Sequence, residues 1–366
     1  MKRFFILIIM FLLSICNSFA TEQSTLPTQI GIIKDVKYID LENDSIVQTK
    51  QIAEIKLLKK PLKNQIISVE NILTGNPNYD INIKKGMKVI LHVEEDEENN
   101  LLFSIDSVYR FNTLLGLSIL FCGLLIYVGR KKGLYSLVSI LITAILITNL
   151  LSPMVLAGIN PVFSTIIICL LSTAITMYLV GGFNRKSTSA TIGCILSIVF
   201  AGLLSLLAVK TAHLTGFSDE QSLYLYSSYP QLDFIGIVIS TMILATLGAV
   251  MDVAMSIAST INEIHEVDNS KTVKELFKCG MNVGRDIIGT MANTLILVYL
   301  GGSLPLILLT SNLDVEKFIN LNSIVTEISA AIIGSCAIVI CVPITAIIAS
   351  ELIKNLPEKI DFSRFH

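Results

Sequence analysis

The chain has 366 residues, 52% hydrophobic and only 15% charged, with a mean hydropathy of +0.71 and a formal net charge of −2. So apolar a composition over this length excludes a soluble globular domain and predicts an integral membrane protein. The near-neutral charge supplies no bulk field for nucleic acid or an anionic partner.

The first 20 residues, "MKRFFILIIMFLLSICNSFA", combine Lys2 and Arg3, a long apolar run and the small-x-small pattern Ser18-Phe19-Ala20. They read as a secretory signal peptide cut after Ala20 or as an uncleaved first span, and either reading exports the residues immediately C-terminal to it. Residues 21–109 form the next predicted unit. From about 28 to 108 the runs "QIGIIKDVKYI", "AEIKLL", "QIISVENIL", "MKVILHVEE" and "LLFSIDSVY" alternate with turn sequences such as "TGNPNYD" and "KKG". Five short strands of this kind predict a small all-β barrel of the OB or SH3-like sort. It has no cysteine between Thr21 and Arg110 and no clustered aromatic platform, so neither a disulfide nor nucleic-acid binding is expected of it.

After Arg110 the texture turns to long apolar runs. About seven are long enough to cross a bilayer: 111–129, 134–153, 160–182, 188–209, 233–257, 283–308 and 325–353, within a transmembrane domain of 110–354 followed by a tail of 355–366. Arg130, Lys131, Lys132, Arg185, Lys186, Lys271, Lys274, Lys278, Lys354, Lys359 and Arg364 fall on one side, and only Arg110, Lys210 and Lys317 on the other. The positive-inside rule therefore places the β domain outside the cell and the C-terminus inside. Two connections on the outer side, 210–234 and 310–323, are somewhat acidic. On the inner side Thr272 and Glu275 form a capping box expected to start a short surface helix, "VKELFKCG". Gly301, Gly302 and Pro305 are expected to break the sixth span, and Pro343 to kink the seventh.

The chemistry-bearing pattern lies in the fifth and sixth spans. Gly248, Asp252, Ser256, Ser259 and Glu263 recur every three or four residues and share one helix face, as do Asn282, Asp286, Gly289 and Asn293, with Arg285 about 100° to one side. A charge at mid-bilayer costs about 2.5–3.5 kcal/mol on insertion scales, so it is paired or lines a wet cavity. One short connection joins the two spans, so the stripes are expected to face each other, with Arg285 pairing with Asp252 or Asp286. Glu327, near the outer end of the seventh span, is a candidate entrance residue.

Enzyme chemistry is not expected. Arg285 beside Asp286 opposes the shared proton of an aspartyl protease, Asn269 stands where a zinc-protease motif needs its second histidine after His265-Glu266, and no Walker lysine occurs. No CxxC or Cys/His cluster calls for a metal, and no cofactor is expected.

The stretch "LGAVMDVAMSIAS" through "NEI" (247–264), followed by "GMNVGRDIIGTMANTLILVYLGGSLPL" (280–306), resembles the signature of the YibE/F-like family of bacterial multi-pass membrane proteins. "VGGFNRKS" (180–187), "AHLTGFSDE" (212–220), "VPITAIIAS" (342–350) and "ENILTGNP" (70–77) are similar to it as well. The resemblance implies a polytopic protein of a bacterial plasma membrane and no particular biochemical role. Two readings stay open: a secondary transporter or channel-like protein for a small solute or ion, and a non-transporting scaffold or sensor whose exported domain binds an envelope partner. The oligomeric state is not legible.

Overall fold

The computed structural model describes residues 28–40, 49–76, 80–95, 101–309 and 314–355. The signal-or-span segment 1–20 and the tail from 356 lie outside them. The chain divides into two compact units, one holding the strands and extending to Leu124, the other running from Leu125.

Period-2 alternation builds the first unit. β1 (Gln29–Asp40), β2 (Thr49–Leu57), β3 (Ile66–Leu73), β4 (Lys88–Glu95) and β5 (Leu101–Val108) match the five expected runs and form one antiparallel sheet in the order β3-β2-β1-β4-β5. On β2 the residues Gln51, Ala53, Ile55 and Leu57 point inward while Glu54 between them is exposed. A bulge between Ile33 and Asp35 on β1, and a second register shift at Ile90 and Leu91, bend the sheet. The edge strands β3 and β5 thereby come into contact, which gives the partly open OB type of barrel. Ile33, Ile55, Leu57, Ile83, Val89 and Leu91 fill it.

A polar network that the alternation concealed sits in this core. Gln51 is fully buried, donates to Asn82 Oδ1 (3.1 Å) and Ile83 O (3.4 Å), and accepts from Asn71 Nδ2 (2.8 Å) and Ile83 N (3.3 Å). The amide is thus satisfied, and it straps the 74–87 connection to the sheet. In the same connection the Asp80 carboxylate accepts from Thr74 N (2.8 Å), Thr74 Oγ1 (3.0 Å) and Gly75 N (2.6 Å).

Six helical runs in the described residues are long and apolar enough to cross a membrane. The first, Phe111–Leu156, has 46 residues where about 20 suffice. It comprises α1 (Phe111–Leu146), a π-turn at Ile147–Leu151 and α2 (Ser152–Leu156). Arg130, at φ 48° and ψ −127°, kinks it sharply: a Cβ on Gly133 would touch the carbonyl of Leu125, eight residues away and about 12 Å along a straight helix. The expected first and second spans, 111–129 and 134–153, fall within this one run, so six runs stand where about seven were expected.

The remaining helices are α3 (Pro161–Gly181), α4 (Arg185–Thr211), α5 (Glu220–Ser228), α6 (Phe234–Val267), α7 (Val273–Gly302), α8 (Leu304–Leu309), α9 (Val315–Ile319) and α10 (Asn322–Asn355). α4, α6 and α10 pack mutually as a central trio, α3 lies against α4 and α6, and α7 against α6 and α10. Small residues allow this: a Cβ on Gly193 of α4 would collide with Thr345 of α10. Many buried hydroxyls bond to their own helices, as in Ser197 to Gly193 O (2.7 Å) and Ser205 to Ala201 O (2.8 Å), while those of Thr165, Ser187 and Ser240 are buried without a partner among the described residues.

α10 is continuous through Pro343. One expectation about helix breaks needs correction. The Thr272–Glu275 capping box is present, with Glu275 N donating to Thr272 Oγ1 at 3.3 Å, yet it opens the whole of α7 and no separate surface helix. No breaker lies between Val273 and the span, so the backbone hydrogen bonds simply continue. The sixth span does break as expected after Gly301-Gly302, at Ser303.

At one end of the bundle Arg185 Nη1 donates to Ile353 O at the terminus of α10, and Lys354 Nζ to Asn269 O (2.8 Å). Cations there complement the negative helix end. At the other end Phe217 stacks on Phe234 (4.9 Å), Tyr226 meets both edge-on, and Asn322 Nδ2 donates to Phe217 O (2.7 Å).

The Asp80 contacts generate a pH dependence. Hydrogen bonds from the Thr74 backbone above all hold its carboxyl below the usual value of 3.8. Their stabilisation is complete above that value and is lost as pH falls through the lower folded-state value. In hydrogen–deuterium exchange, protection of the Thr74 and Gly75 amides, corrected for intrinsic rate, is expected to collapse on acidification below 3.8 and to be low at every pH in Asp80→Ala.

Candidate functional site

The geometry of α6 and α7 is set at two glycines. A Cβ on Gly280 would stand 2.6 Å from Ile261 Cδ1 and 3.4 Å from Ala346 Cβ, and one on Gly284 would run into Val342 and approach Ile257 Cδ1 at 3.4 Å. α7 therefore beds its glycine face into the crease between α6 and α10, with Met281, Ile287, Ile288, Met291 and Leu295 packed beside it. Ile261 lies level with Gly280 and Ile257 with Gly284, an antiparallel register that puts Ser256 level with Arg285 and Asp252 level with Gly289.

At about 100° per residue, Asn282, Asp286 and Asn293 point roughly opposite to Gly280 and Gly284. All three are exposed, as are Arg285 and Gly289. On α6 the buried side carries Val250, Ala254, Ile257 and Ile261, so Asp252, Ser256 and Glu263 are exposed and Ser259 is partly covered. The expected meeting of the two stripes is overturned: each faces away from the packed core. Arg285 does not reach Asp252, one turn away in depth, and its Nη1 bonds Asn282 Oδ1 on its own helix at 3.3 Å. Among the described residues neither Asp252 nor Asp286 has an ion-pair partner. Glu327 is half-buried in the first turns of α10, near the aromatic end and apart from these groups.

The outward faces extend beyond the residues singled out from the sequence. Thr241 and Ala245 continue the α6 face with the same spacing, and Lys278, Thr290 and Thr294 are exposed on α7. Extending the three-four period by two turns finds the α6 pair. The α7 residues lie on the flanks of the stripe, where periodicity alone is silent. α7 is the least covered of the long helices: 11% of its most apolar stretch is buried, against 56% for α6 and 50% for α10. Among the described residues no three His, Cys, Asp or Glu side chains converge as a metal site requires.

Packing at Gly284 yields a direct check. Gly284→Leu is expected to cost ~1–3 kcal/mol by overpacking, read as a lowered midpoint of thermal unfolding in detergent. Gly301→Leu, where a Cβ meets nothing within 4 Å, should leave the midpoint nearly unchanged.

Comparison with known families matches residues 117–355 to the YibE/F-like protein model and residues 28–108 to the YibE/F family N-terminal domain. Neither a curated protein nor a solved structure matches the chain. The two matches coincide with the barrel and with the helical bundle bearing the outward polar faces, and they cover well over half of the sequence: the chain is a multi-pass membrane protein that belongs to the YibE/F family.

Proposed function

We propose that this protein passes a small polar solute or ion across a bacterial plasma membrane, as a secondary transporter or channel-like protein and not as an enzyme. The observation that carries the reading is Asp252, placed mid-helix on α6, exposed, and without an ion-pair partner among the described residues. A carboxylate used to clamp two helices together would meet Arg285, and it does not. It remains available to bind a proton or a cation, while Arg285 one turn away offers a contact for an anionic group or a counter-charge. Ser256, Ser259 and Glu263 carry the polar face toward the basic end of α6, and Asn282, Asp286 and Asn293 do the same on α7. Glu327 would stand at the outer entrance. The loop charges orient the pathway, with the β domain outside and the C-terminus inside.

A second reading has its own observation. Ile66 and Ile72 on β3, and Leu101 and Leu102 on β5, are exposed apolar residues on the two edge strands of the exported barrel. They suit a scaffold or sensor that docks an envelope protein.

Reconstitution separates the two. In proteoliposomes carrying a pH-sensitive dye or loaded with a panel of labelled ions and metabolites, Asp252→Asn is expected to lower flux at least tenfold with thermal midpoint and oligomer size unchanged. Flux equal to wild type removes Asp252 from the pathway. A variant that unfolds in detergent makes the stripe structural.

A further inference from the structure

The outward face of α7 poses a problem that the single chain does not solve. From Asn282 to Asn293 it rises about 16 Å, roughly half of a 30 Å hydrocarbon core. Arg285 and Asp286 both lie within that rise and both are exposed. The insertion cost of about 2.5–3.5 kcal/mol per charge applies at the helix centre and falls toward the border, where the expected span of 283–308 places Arg285 and Asp286, so the pair facing lipid carries a smaller but still unfavourable cost. Headgroups of one leaflet do not bathe a face this tall, so protein or protein-bound water covers it.

We propose that a second copy of this chain covers it, in a parallel dimer with a two-fold axis along the membrane normal and α7 packed on α7. Two copies inserted in the same sense bring identical depths together, so the contact is self-complementary. The face is built for that: Arg285 and Asp286 are adjacent and of opposite sign. In the pair, each Arg285 meets the partner's Asp286, two ion pairs form, and the charge of the contact sums to zero. An occupant of one sign would neutralise one of the two residues and repel the other. Gly289 lies one turn from Arg285 on this face, and a Cβ there would meet nothing within 4 Å, so the backbones have room to approach. Asn282 and Asn293, above and below, supply amides that donate and accept across a two-fold axis. The inference rests on the exposure of α7 and not on flux, so it and the transport reading can fail separately.

The test reads assembly in full-length protein. Gly289→Cys, oxidised in native membranes, is expected to give a non-reducing band at twice the 40.1 kDa monomer, while Leu203→Cys, on an exposed apolar position of α4, is not. Arg285→Asp and Asp286→Arg should each lower the dimer fraction in nanodiscs at least tenfold, and the double exchange should restore it to within about twofold of wild type. Absence of the Gly289→Cys dimer, a dimer equally strong at Leu203→Cys, or a Gly289→Cys adduct with a different protein each overturns the proposal. So does a double exchange that stays monomeric with its thermal midpoint intact. Where the charge variants fail to fold, the cysteine pair alone decides.

Discussion

The close approach of α7 to α6 and α10 at Gly280 and Gly284 governs most of what is distinctive in this protein. A helix has one best face, and α7 offers two candidates: a glycine face that lets backbones come together, and a polar face able to hydrogen-bond. Ile257, Ile261 and Val342 present branched side chains to the crease, and only the glycine face accommodates them. Dispersion contacts over that surface are individually ~0.1–0.2 kcal/mol but numerous, and an amide or carboxylate inserted there would lose hydrogen bonds it could not replace. The polar face is therefore turned outward, and the function is to be sought on the surface of the bundle.

The interior bears this out by contrast. Buried Ser197, Ser205 and Thr246 return their hydrogens to carbonyls of their own helices, and Ser139 and Thr143 pair with Thr176 and Ser172 between α1 and α3. The central trio is polar in composition at many positions yet electrically quiet. Titratable groups are displaced to the ends, where Arg185 and Lys354 cap carbonyls, or to the outward stripe. Asp252, Arg285 and Asp286 thus stand on exposed faces of α6 and α7 and not in the packed core.

The β-barrel follows the same economy of polar groups. Gln51 enters the core because four partners from β3 and the 74–87 connection saturate it. The network holds Asn82 and Ile83 to the sheet beside the backbone bonds that Gly86 and Met87 make with Ile33, and Asp80 accepts from the backbone amides of Thr74 and Gly75. These are local solutions, each confined to its own unit.

The strands, the long helices, the capping box at Thr272 and the break after Gly302 were legible because each depends on neighbours within a few residues: period two or 3.6, a cap, a pair of glycines. The outward set on α6 was legible in the same way, as a shared face. The kink at Arg130 was less so, since the apolar runs do not say where one continuous helix bends. Which face of α6 and α7 is packed could not be read at all. Periodicity establishes that Asp252 and Ser256 lie together, and Asn282 with Asp286, but it is symmetric between a face turned in and a face turned out. Shape decided it, through the fit of Gly280 and Gly284 against Ile261, Ile257 and Val342, residues that come together only once the chain has folded.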